Sequence, residues 1–173
     1  MKTQILYSSE YGYSRKYAEE TARLTGAPIA EGTRFDRDVE TAVYFGAMYA
    51  GKVNGLKKAA RSVPDGAKFV LAVVCLSDPA DEQAAEYLRS CANKQLPSKL
   101  DGRTDVFFLR GGVDFSALKR THRFLLALVA KMAKSLPPEQ LDFMTKTAAE
   151  AYGKTVDHTD FNALAPVMER IKN

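Results

Sequence analysis

The sequence holds few residues that do chemistry alone. It has two cysteines, Cys75 and Cys91, and two histidines, His122 and His158. The cysteines form neither a C-x-x-C pair nor a metal spacing. Cys75 ends an apolar run, and Cys91 lies on a helical apolar face. Both read as small buried hydrophobes in a reducing compartment, which excludes a disulfide framework. The histidines stand alone near helix starts and read as solvated or structural. No Ser-His-Asp set, paired-carboxylate site or metal cluster emerges, so no catalytic residue and no metal ligand is assigned.

Other absences narrow the class further. The chain has no Gly/Ser-rich linker, no low-complexity tract and no internal repeat. Its 173 residues therefore read as one domain spanning 1–173, long enough to bury a core. The formal net charge of +4 is too small to argue for nucleic acid. No Arg/Lys stripe interleaved with aromatics supplies a second argument for it. The N-terminus lacks the charged-then-apolar-then-small pattern of a signal peptide. The apolar run Phe124 to Ala130 falls far short of the roughly 20 residues of a spanning helix. The expectation is a cytoplasmic protein, with attachment to a membrane surface left open.

What is present is an alternation of strands and helices. Ile5-Leu6-Tyr7 is a short strand core, followed by a helix over Ser14–Thr25 with Tyr17, Ala18, Ala22 and Leu24 on one side. Gly26 and Pro28 stop that helix. Ile29–Thr33 is a weak edge strand, and Thr41–Gly46 a buried one. Leu56, Ala59, Ala60 and Val63 recur at helical spacing. Lys68–Leu76 is apolar on both faces, as a central strand covered from both sides must be. Asp78-Pro79 predicts a helix N-cap with proline at the first position. Ala84, Tyr87, Leu88 and Cys91 follow on one helical face. Asp105–Gly112 is a further strand. This order predicts an α/β fold with a parallel sheet and helices on both faces. Only Arg34–Glu40 joins the second strand to the third, hardly room for a helix. Beyond Gly112 the pattern is helical over Leu118–Lys134 and Glu139–Tyr152. A short extended piece, Gly153–Phe161, precedes a final helix bearing Leu164, Val167, Met168 and Ile171, with a kink expected at Pro166.

Ligands of open parallel sheets bind beyond the carboxyl ends of the strands. The loops there start at Ser8, Gly46, Ser77 and Gly111. The first, "YSSEYGYS", offers hydroxyls from Ser8, Ser9 and Ser14, a close backbone approach at Gly12, and a helix start with free N–H groups. It has no lysine and no G-x-G-x-x-G, so it matches neither a P-loop nor a pyrophosphate-binding turn. Two readings fit these residues equally: a cradle for one phosphate monoester, or a serine-capped helix.

"ILYSSEYGYSRKYAE" resembles the flavodoxin phosphate loop, strand-[ST]-x-x-G-x-[ST]-helix, with Ser9, Gly12 and Ser14 in the motif positions. Tyr11 stands where flavodoxins usually carry a small hydroxyl residue, and Glu10 adds a negative charge. "VYFGAMYAGKVNGLKKAA", "FFLRGGVDFSALKRTHRFLLALVAKMAK" and "KTVDHTDFNAL" are similar, in that order, to segments of the flavodoxin-like, quinone-dependent protoporphyrinogen oxidases. The likeness spans nearly the whole chain. It implies a flavodoxin-like sheet of order 2-1-3-4-5 with a helical insertion over about 116–153. The implied cofactor is FMN. Its phosphate would lie on Ser8, Ser9, Glu10, Tyr11, Gly12, Tyr13 and Ser14. Its ring would lie between Ala47, Met48, Tyr49, Ala50 and Gly51 on one side and Ser77 and Asp78 on the other, with Tyr49 stacking. The implied activity is FMN-dependent oxidoreduction with a porphyrinogen substrate and a quinone acceptor. A flavodoxin-type electron carrier and a flavin-free scaffold are the alternatives, and the basic charge balance speaks against an acidic carrier.

The helix over 118–134 carries Lys119, Arg120, Arg123, Lys131 and Lys134 and no acid, around an apolar middle. Three explanations stay open: burial against the next helix, packing across a homodimer interface, or contact with an anionic membrane.

Overall fold

The computed structural model describes residues 2–137 and 140–173. Five strands form a parallel sheet: β1 (Thr3–Ser8), β2 (Ile29–Glu31), β3 (Thr41–Tyr49), β5 (Lys68–Cys75) and β6 (Thr104–Arg110). Their order is β2-β1-β3-β5-β6, and a short β4 (Lys52–Val53) folds back antiparallel on the end of β3. This is the predicted 2-1-3-4-5 order, with β2 on the predicted edge.

Alternation along β5 explains the two layers. Val70, Ala72 and Val74 face one cluster, while Phe69, Leu71 and Val73 face the other, and all six are buried. Successive strand residues point to opposite faces, so a strand apolar at every position must be covered twice. On one side lie α1 (Tyr13–Thr25) and the C-terminal α6 (Ala165–Lys172), contributing Tyr17, Ala18, Val167 and Ile171. On the other lie α2 (Leu56–Ser62) and α3 (Glu82–Asn93), contributing Leu56, Ala59, Ala60 and Ala92.

The short β2–β3 crossover contains no helix. Phe35 and Val39 plug the core in its place, Phe35 meeting the Phe69 ring edge-on at 6.2 Å. The Phe35 N–H donates to Ser62 Oγ at 3.1 Å, which ties the loop to the end of α2.

Several expectations are corrected. Leu24 is exposed rather than inward, because α1 buries Ser14, Tyr17, Ala18 and Thr21 instead. Asp78 does not cap α3. Its carboxylate accepts from the Ala80 amide in a tight turn, and Asp81, accepting from the Ala84 amide, caps the helix three positions later. Pro166 does not kink α6 but sits in its first turn, where the missing N–H costs nothing. The strand expected to run to Gly112 ends at Arg110, and β7 (Gly112–Asp114) leaves the sheet to pair antiparallel with β8 (Thr155–Asp157). A Cβ at Gly112 would collide with the Val156 carbonyl and the Tyr13 ring, so glycine permits this close pairing.

Between β7 and β8 lie α4 (Arg120–Ala133) and α5 (Phe143–Ala151), packed on each other. The expected start of the second helix at Glu139 lies outside the described residues, and α5 begins at Phe143, capped by Asp142. Packing accounts for one side of α4 only. Ala130 and Ala133 are buried, whereas Phe124, Leu125, Leu128 and Met132 are exposed, Phe124 by 71%.

Phe35→Ala should lower stability by about 3 kcal/mol in urea unfolding, since it removes a buried ring from a crossover with no helix to fill the space.

Candidate functional site

Parallel pairing brings Ser8 opposite Gly46, Ala47 opposite Val74, and Cys75 opposite Arg110. The carboxyl ends of these strands therefore share one edge. The strand order reverses between β1 and β3, which places the switch point at the Ser8–Gly12 loop and the end of β3.

The first loop ends in Gly12, held at φ 90°, and α1 starts at once. Among the described residues no side chain caps this helix. Ser9 Oγ accepts from the Gly12 amide at 3.0 Å, a turn inside the loop rather than a cap. Ser14 is fully buried, and its hydroxyl has no hydrogen-bond partner. A buried polar group without a partner is costly, and the first-turn amides of a helix have no intrahelical acceptor. The serine-cap reading thus loses its hydrogen bond, while the donors a phosphate would use stay available. A Cβ built on Gly12 meets nothing within 4 Å, so nothing packs directly against that position.

Other predicted residues take different places. Ser8 turns to the opposite layer, its hydroxyl 2.8 Å from that of Tyr44. Burial pushes the Tyr44 phenol up to about 12. Tyr13 packs under Gly111 and Gly112, its hydroxyl donating to the Val156 carbonyl at 3.4 Å. Ala47 is buried in β3, and Met48 packs against the layer of α2 and α3. The loop expected after Gly46 is a continuation of β3 to Tyr49. Ala50 (φ 46°) and Gly51 (φ 75°) then form a two-residue turn into β4. Two consecutive positive φ values suit the twist of such a hairpin. Ser77 and Asp78 engage the inserted helices and their neighbours: Ser77 Oγ lies 3.4 Å from Thr147 of α5, and Asp78 pairs with Arg110 at 3.4 Å.

The centre of the site is a cluster that the first turn of α4 completes. His122 stacks on Tyr49 with ring centroids 5.3 Å apart and planes 14° from parallel. Tyr11 meets Tyr49 edge-on at 5.7 Å. Tyr11 Oη lies 2.7 Å from His122 Nδ1 and accepts from the Lys119 amide at 3.2 Å. Lys119 Nζ forms an ion pair with Glu10. The hydrogen bond from Lys119 holds the Glu10 carboxyl below its ordinary value, against the opposing effect of burial. Burial pushes the Tyr49 phenol up, so it is neutral at physiological pH. Sequence reasoning set His122 aside as a lone histidine and Lys119 as one of a basic row. The signal for both is the Leu118–Lys119 stretch before the helix, whose buried Leu118 anchors the turn.

A family model described as a flavodoxin domain matches residues 4–139. The chain belongs to the flavodoxin domain family. FMN, the cofactor expected from the sequence, is the cofactor that this membership brings, and the unpartnered Ser14 hydroxyl beside Gly12 fits its phosphate. Solved structures resemble this flavodoxin-domain chain more distantly. A flavoprotein from Lactobacillus acidophilus NCFM in complex with FMN has TM-score 0.39 and 13% identity over 63% of this chain and 91% of its own. A flavodoxin from the domain Archaea has TM-score 0.39 and 12% identity over 72% and 90%. A mutant flavodoxin from Pseudomonas aeruginosa has TM-score 0.35 and 19% identity over 79% and 99%. At these scores the fold is read from the strand order instead. No relative among curated proteins matches.

Tyr11→Phe should cost about 1 kcal/mol and speed amide exchange at residues 119–123, because it removes the hydroxyl shared by His122 and Lys119. Unchanged exchange there would mean that Tyr11 does not hold α4.

Proposed function

We propose that this chain is an FMN-dependent oxidoreductase of the flavodoxin family whose electron partner is apolar, in the manner of the quinone-dependent protoporphyrinogen oxidases that its sequence resembles. The observation that carries the flavin part is the buried, unpartnered Ser14 hydroxyl at the head of α1, two residues after Gly12. Ser9, Gly12, Ser14 and the first-turn amides would hold the phosphate, and Tyr49 would offer an aromatic face to the ring. Bound FMN supplies reversible electron transfer, while the protein sets its position and surroundings. The ring cannot lie between Tyr49 and His122 as they stand, since 5.3 Å is the spacing of one stacked pair. To lie there it would have to part this stack.

Support for an apolar partner comes from α4. Its outward face carries Phe124, Leu125, Leu128 and Met132, with Arg120 before this exposed stretch and Lys131 and Lys134 near its end. An exposed apolar stripe between cations fits an anionic lipid surface, from which a lipid-soluble quinone would be drawn. Among the described residues no helix is long and apolar enough to cross a membrane, so such contact would be peripheral. An electron carrier without its own substrate fits the flavin site equally well, and the exposed stripe is what favours the oxidase-like reading. The same stripe would also serve a homodimer.

Purified protein should be yellow, with the visible spectrum of bound flavin, and should oxidise a porphyrinogen when given a quinone. A colourless protein that takes up no FMN defeats the flavin reading. A flavoprotein without turnover is a carrier. Leu128→Glu with Met132→Glu should abolish binding to vesicles of anionic phospholipid while leaving FMN affinity unchanged. Vesicle binding that survives the double substitution places the lipid contact elsewhere.

A further inference from the structure

The phosphate loop, Ser8 to Ser14, contains no cation and one acid, Glu10. A carboxylate at that position opposes a phosphate dianion, and the opposition is stronger at a partly buried site than in water. The Glu10 side chain is only 19% exposed. The next cations along the chain are engaged elsewhere. Arg15 pairs with Glu19 at 2.6 Å, and Lys16 with Asp157 at 2.7 Å.

We propose that Lys119, in the segment leading into α4, is the charge-compensating specificity residue of the flavin phosphate site. It neutralises Glu10, so the loop meets a phosphorylated flavin without net negative charge. The inference rests on the FMN reading above. Three observations converge on it. The Lys119 ammonium sits on the Glu10 carboxylate. The Lys119 backbone is fixed by its hydrogen bond to Tyr11 Oη and by the buried Leu118 beside it, so the ammonium is tethered at the loop. The unpartnered Ser14 hydroxyl marks the same loop as one that awaits an acceptor. With the Lys119 side chain 66% exposed, solvent screens the pair and it contributes little to stability. Its effect would instead appear in the choice between FMN and riboflavin, which differ by the phosphate alone.

The test is the affinity of the full chain for FMN and for riboflavin, read by quenching of flavin fluorescence. Lys119→Ala should weaken FMN about tenfold and leave riboflavin within about twofold. Glu10→Gln should tighten FMN and leave riboflavin unchanged. The double variant should return the FMN-to-riboflavin ratio close to that of the wild type, because the loop is again neutral. Equal loss of both flavins in Lys119→Ala would overturn the proposal and reduce Lys119 to a prop for α4. So would a ratio that neither substitution moves. Wild-type protein that binds neither flavin fails differently: it overturns the FMN reading itself.

Discussion

Everything at the site depends on parallel pairing in register. Because β1, β3, β5 and β6 run the same way, their carboxyl ends and the loops that follow share one edge. The strand order reverses beside β1, the place where open parallel sheets leave the head of a helix free for a ligand. The register itself follows from β5, which is buried at every position from Phe69 to Cys75. A one-residue slip would exchange Phe69, Leu71 and Val73 with Val70, Ala72 and Val74, and put the larger set against the wrong layer.

On that edge the inserted helices are not an independent appendage. Their small core, built on Val113, Leu118 and Ala151, includes Tyr11 and Leu76 from the site loops. Tyr17 lends its hydroxyl to both ends of the insertion's base, donating to the Arg110 carbonyl at 2.7 Å and accepting from the Asp160 amide at 2.9 Å. Tyr11, which stands where flavodoxins usually carry a small hydroxyl residue, thus has a structural reason, and so has its neighbour Tyr13. Tyr11 and Tyr13 are large because they dock the chain returning from β7, α4 and β8.

Most of the fold was legible because its signals are local. The doubly apolar run of β5, the glycine stop of α1 and the spacing of Leu56, Ala59 and Ala60 each depend on a few neighbouring residues. The errors arose where two local signals competed or a distant partner decided. Asp78 and Asp81 both suit a helix cap, and the tight turn at Asp78 leaves the cap to Asp81. Gly112 ends a strand in the sequence pattern, but Tyr13 and Val156, far away in the chain, turn the following residues into a second sheet. Met48 reads as a loop residue from the glycine before it, whereas β3 runs on to Tyr49 and packs Met48 against the layer of α2 and α3. His122 was invisible as a site residue, since its partner Tyr11 lies 111 residues away.

Glu10 shows the limit of reading a loop as a motif. A motif weighs the residues within it, and by that measure an acid beside a phosphate is a defect. Charge, however, acts through space. The relevant sum includes whatever the fold brings to the loop, and here it brings Lys119 from the segment that follows β7. The insertion therefore changes the loop's electrostatics without changing its sequence. A chain with the same loop but no docked α4 would carry the acid uncompensated. In this reading the insertion and the unusual loop are one device, each tolerable because of the other, and the tyrosines that bind them together belong to it as much as the charges do.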